Sequence, residues 1–123
     1  MKNKLKIVFQ GIPPSKKNSK QWIFRGGRRY LVPSENHNAW HEENMWLLKK
    51  VKSKFETVSI IKIVFYPKDK IRRDLTNVTE SLMDILVDAG IIKDDNWFVV
   101  AEINLKLGEV VSENARVELE IIS

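Results

Sequence analysis

Residues 68–97 read KDKIRRDLTNVTESLMDILVDAGIIKDDNW, a stretch that carries Asp74, Glu80, Asp84, Asp94 and Asp95. Its middle has the apolar spacing of a helix, with Val78, Leu82, Ile85, Leu86 and Ala89 on one face. Glu80 and Asp84, four residues apart, then differ by about 40° around the axis and point away from that face. Asp74 precedes the helix, and Asp94 and Asp95 follow it. If the flanking strands lie close in a sheet, Asp74 and Asp95 converge beside the helix. Carboxylates crowded there repel one another unless a cation joins them. An all-oxygen ligand set selects Mg²⁺, with Mn²⁺ as a substitute. Such an ion polarises a phosphodiester and lowers the pKa of a bound water. Asp74, Glu80, Asp84 and Asp95 are therefore the candidate catalytic metal ligands. Arg72 and Arg73 stand beside them, where guanidinium groups can clamp a phosphate. The plainer alternative is that acidic residues mark helix starts through capping and dipole effects, and Asp88 is read without a metal role.

The charge distribution points to a polyanionic partner. Net charge is +5, yet residues 1–34 carry nine Lys or Arg and no Asp or Glu, leaving the other 89 residues at −4. A basic end beside an acidic site suits a nuclease. The candidate DNA contacts are Lys16, Lys17, Lys20, Arg25, Arg28 and Arg29, on or near glycine-containing loops, together with Arg72 and Arg73. Such groups position phosphates rather than read bases, which fits recognition of DNA shape. The alternative is a solubilising surface. Trp22, Phe24 and Tyr30 either wedge or stack against DNA bases or pack in a core or dimer interface. His37 and His41 have a metal-compatible spacing but no evident third ligand, so a helix-surface or interface role is favoured. The chain has no cysteine, which excludes disulfides, thiolate catalysis and cysteine-ligated zinc. No apolar run reaches membrane-spanning length, so a soluble cytoplasmic protein is expected.

The elements that must position these residues follow from periodicity. Residues 4–10 alternate as a half-buried strand, and residues 22–32 read as an extended arm or hairpin turning at Gly26-Gly27. Ser34 is the expected N-cap of a helix to about residue 54, packed through Trp40, Leu47, Leu48 and Val51. Residues 57–66 form a central strand, and the acidic segment supplies a second helix over 77–89 that stops at Gly90. Residues 97–107 predict a strand with Val99, Ala101, Ile103, Leu105 and Leu107 on one side, and Trp97 buttresses the acidic pair. Residues 115–122 predict the last strand. The expectation is a single domain over 1–123 of α/β (α+β) class, with a small mixed sheet of about four strands packed with two helices.

Two separated pieces, GIPPSKKNSK and RRDLTNVTESLMDILVDAGIIKDD, resemble the RusA-type Holliday junction resolvases across nearly the whole chain. The usual form of the second piece is Asp-x-Asp-Asn, a Lys, an Asp on the helix, and Asp-Asp after a Gly. By position, the resemblance implies catalytic roles for Asp74, Asp84 and Asp95, with Asn77 capping or bracing the site. It also implies a homodimer, common in phages and prophages, that nicks four-way junctions in pairs with Mg²⁺. Two positions depart from the pattern: Thr76 replaces the second Asp, and Glu80 replaces the Lys. Glu80 could restore the negative charge lost at 76. The expected function is therefore a Mg²⁺-dependent endonuclease acting on branched DNA. The alternatives are a branched-DNA-binding protein with weak or absent cleavage and a small structural or regulatory phage protein.

Overall fold

Alternation decides the strands. In β1 (Lys4–Gln10) Ile7 and Phe9 are buried while Lys4, Lys6 and Val8 face outward. The computed structural model describes residues 3–14, 20–33 and 35–123; Lys16, Lys17 and the expected N-cap Ser34 lie outside them, as do the side chains of Lys20 and His37. Strands β2 (Lys20–Arg25) and β3 (Arg28–Pro33) form a separate two-stranded ribbon. Gly26 and Gly27, at φ 56° and 75°, supply the two positive φ angles that a tight two-residue hairpin turn demands. The hairpin is the one the sequence predicts.

The β-branched run Ile60–Tyr66 forms β4, and β6 (Arg116–Ile122) lies between β1 and β4, antiparallel to both. Rows of apolar residues cross these three strands: Leu5, Ile121 and Ile61; Ile7, Leu119 and Ile63; Phe9, Val117 and Phe65. β5 (Ile103–Leu107) joins the far edge parallel to β4, giving a four-stranded mixed sheet of order β1-β6-β4-β5. A parallel neighbour requires a crossover, and helix α2 (Leu75–Asp88) lies within it. The architecture is the small mixed sheet packed with two helices that the sequence predicts. Val78, Leu82, Ile85 and Leu86 of α2 join the inward rows of the sheet in one core cluster. Burying a side chain such as Leu82 there contributes about 1.5–3 kcal/mol.

Helix α1 (Glu35–Leu48) ends earlier than its apolar spacing predicts. Its buried stripe runs Trp40, Asn44, Leu48, so Leu47 turns outward and is exposed. Trp40 packs on Phe9 with ring centroids 5.8 Å apart. Asn44, fully buried, accepts a hydrogen bond from the Gln10 N–H at 3.0 Å and donates to the carbonyls of Trp40 at 2.9 Å and Gln10 at 3.4 Å. A polar side chain thus serves the outer edge of β1, where no strand is available.

The predicted strand over 97–107 is regular only from Ile103. The side chains of Asp94 and Asn96 accept the backbone N–H groups of Asp95, Phe98 and Val99, curling residues 94–99 into turns. Val99 stays in the core, Leu105 is half-buried, and Ile103 and Leu107 are exposed on the edge strand. Trp97 is 78% exposed and touches its neighbour Phe98 instead of shielding the acidic pair. No helix among the described residues is long and apolar enough to cross a membrane.

Candidate functional site

Thr76, Thr79, Glu80, Met83 and Asp84 follow one another at helical spacing and form one stripe along α2. This stripe lines a cleft of about 570 Å³, whose other walls are Ile103 and Leu105 of β5 and the carboxylate-bearing Asp95. Three of the four candidate ligands, Glu80, Asp84 and Asp95, thus face one space. Glu80 is exposed and Asp84 half-buried.

Asp74 is placed differently. It is the N-cap residue of α2 with extended backbone (φ −78°, ψ 125°), but its side chain makes no capping bond to the helix. Its Oδ2 instead accepts a hydrogen bond from Asn77 Nδ2 at 3.1 Å. Asp74 lines a second, neighbouring cavity of about 540 Å³ with Arg72, Arg73 and the apolar residues Phe65, Ile71, Leu75 and Leu107. It therefore does not share the cleft of Asp95. Among the described residues, no three Asp, Glu or His side chains come close enough to hold a single ion.

The two arginines are not equivalent. Arg73 pairs with Asp69 at 3.4 Å, and Asp69 also accepts the Ile71 N–H at 3.0 Å, so this side chain is tied into its own loop. Arg72 is exposed at the rim of the second cavity. Asp94 is a structural acid. The backbone N–H of Asp95 at 2.7 Å and Asn96 Nδ2 at 3.0 Å both donate to it and hold its carboxyl below the usual aspartate range. Asp95 is thereby presented from a turn built by its neighbours.

Two contacts escape sequence reasoning. Ser81, buried on α2, donates to the Pro14 carbonyl at 2.9 Å and pins the residue that precedes the basic segment to the acidic helix. His41 Nε2 lies 2.9 Å from Asp88 Oδ2, linking α1 to the end of α2. Serine at 81 had a signal, since it interrupts the apolar pattern of a helix flank; its partner, 67 residues away, had none.

The sequence model of the family described as Endodeoxyribonuclease RusA matches residues 11–122. This chain belongs to the RusA family. A curated relative, the crossover junction endodeoxyribonuclease rusA of Enterobacteria phage HK97, is 31% identical over 79 residues, covering 63% of this chain. The match spans 64% of that relative's length, just under two thirds. Within this RusA-family chain, the two departures from the usual motif gain a spatial meaning. Positions 76, 80 and 84 stand on successive turns of the α2 stripe and border the same cleft. Negative charge moved from 76 to 80 stays on that stripe.

Proposed function

We propose that this RusA-family chain is a Mg²⁺-dependent, structure-selective endodeoxyribonuclease that resolves four-way junctions or other branched DNA by paired phosphodiester hydrolysis as a homodimer. One observation carries the reading: Glu80 and Asp84, on the stripe that begins at Thr76, border one cleft with Asp95. The donor set is all oxygen, which suits a hard divalent cation. Among the described residues these carboxylates are not gathered on one ion, and catalytic contacts commonly tighten only when the complex forms. Glu80, Asp84 and Asp95 would hold the cation from the cleft, and Asp74 would join from the N-cap of α2, where Asn77 steadies it. When bound, Mg²⁺ supplies Lewis-acid polarisation of the phosphodiester and activation of water.

The chain's own residues orient the strand. Arg72, exposed beside Asp74, binds a phosphate oxygen, while Arg73 keeps the loop shaped through Asp69. Lys16, Lys17, Lys20, Arg25, Arg28 and Arg29 bind the flanking backbone. Two copies then supply the two active sites that paired nicks require.

A second reading is a branched-DNA-binding protein with weak cleavage. Thr76 in place of a carboxylate and the lack of a tight carboxylate triad among the described residues favour it. Cleavage of a labelled four-way junction and a matched duplex in Mg²⁺ or Mn²⁺ separates the two. Paired nicks that vanish in Asp74→Asn and Asp95→Asn support the enzyme. Junction binding without nicks in either metal selects the binding protein.

A further inference from the structure

The β2–β3 hairpin has two chemically different faces. Directly paired residues of an antiparallel ribbon share a face, and alternate residues along a strand do too. The register Phe24↔Arg29 therefore sets Trp22, Phe24 and Arg29 on one side. Arg25↔Arg28 and Ile23↔Tyr30 set those four on the other. Trp22 is 55% and Phe24 73% exposed, and the Arg29 guanidinium sits 4.4 Å from the centroid of the Trp22 ring. The ribbon lies outside the four-stranded sheet. Six residues per strand make it an arm about 20 Å long.

From these observations we infer that the Trp22–Phe24 face of the hairpin stacks on unpaired or unstacked bases at the branch point of the DNA, while Arg25 and Arg28 on the opposite face hold phosphates. The inference rests on the branched-DNA reading above and adds to it the part of the chain that senses the branch. Charge selects the occupant. Residues 1–34 contain no acidic side chain, so the hairpin itself carries no counter-charge for Arg25, Arg28 and Arg29. An apolar protein partner would bury guanidinium groups without counter-charge, which is costly. A second copy of the same face would set arginine against arginine. A nucleic acid satisfies both halves of the surface. Its phosphates pair with the guanidinium groups, and its base faces stack on the rings and on the Arg29 plane. In a continuous duplex those base faces are covered by neighbouring pairs. At a branch they are open, and an aromatic wedge can fill the gap.

The test is photo-cross-linking of the full chain to a four-way junction carrying 5-iodouracil either at the branch or within a paired arm, with the metal chelated, followed by mass-spectrometric mapping. Adducts on Trp22 or Phe24 from the branch probe, and none from the arm probe, are expected. Phe24→Ala and Trp22→Ala should each lower junction affinity roughly tenfold, the scale of one lost stack, with a smaller effect on matched duplex. Normal junction binding with adducts elsewhere, or variants that bind like wild type, would overturn the inference while leaving the nuclease reading intact. Variants that change sedimentation but not DNA affinity would also overturn it and assign the face to a second copy. Wild-type protein that neither binds nor nicks branched DNA would remove both readings together.

Discussion

Glu80 stands one turn, about 6 Å along the helix axis, from Thr76 and one turn from Asp84. A carboxylate at 80 therefore approaches the cleft from between two positions that border it. Glu80→Gln is expected to weaken Mn²⁺ binding about tenfold or more by titration calorimetry, the scale on which supporting groups of metal sites act. Adding Thr76→Asp to that variant should recover most of the loss, with a coupling of about 1–2 kcal/mol in the double-mutant cycle. Independent, additive effects would mean that 76 and 80 do not share a cation. Asp94 calls for a different experiment. Its carboxyl titrates below the ordinary aspartate value because Asp95 N–H and Asn96 donate to the charged form. A lowered pKa contributes stability that is complete above the unfolded-state value of about 3.9 and is lost as pH falls through the lower folded value. Hydrogen-exchange protection of the Asp95 amide, corrected for intrinsic rate, should thus hold from neutrality down to about pH 4 and decline only below it. Asp94→Ala should abolish that protection at every pH.

Elements meet through polar contacts as well as apolar ones. Asn44→Ala leaves the Gln10 N–H and carbonyl without their partner and should cost about 1–3 kcal/mol, read from the urea midpoint. Ser81→Ala frees the Pro14 carbonyl and should cost about 1 kcal/mol, with faster amide exchange at Gly11 and Ile12, the two residues before Pro13-Pro14. These contacts also explain what sequence could and could not reveal. The Gly26-Gly27 hairpin, the α2 core face and the alternation of β1, β4 and β6 depend on spacings within a few residues, and they are legible. So is the shared side of Glu80 and Asp84. Asn44 is not, because its partner lies 34 residues away and an isolated helix gives no reason to bury an amide. The stretch 97–107 misleads because its alternation is real, yet Asp94 and Asn96 capture the amides that a longer strand would have used. The separation of Asp74 from the cleft of Asp95 is likewise set by how the two loops fold, which residue spacing does not encode.

At the scale of the molecule, basic and acidic functions are joined at one place. Pro14, which follows β1 on the way to the hairpin in sequence, is fastened to α2 through Ser81. DNA affinity should therefore depend steeply on salt, with log K falling by about 0.9 per phosphate neutralised for each decade of salt. Replacing Arg25 and Arg28 together by Gln should reduce that slope by about 2 in fluorescence anisotropy titrations, and an unchanged slope would remove both from the phosphate contacts.

The central position of β6 has a consequence for how the protein is made. β1 and β4 do not touch each other in the sheet; both hydrogen-bond to β6, which comes last in chain order. During synthesis the first strand must wait, with one flank unpaired, while the hairpin, both helices and two more strands emerge. Only the arrival of Arg116–Ile122 supplies the strand between them. Pairings of such long sequence separation form slowly, and open strand flanks invite association with other chains. A ribosome-bound chain stopped before Arg116 should accordingly be protease-sensitive throughout, and the release of the last strand should bring protection to the whole sheet at once.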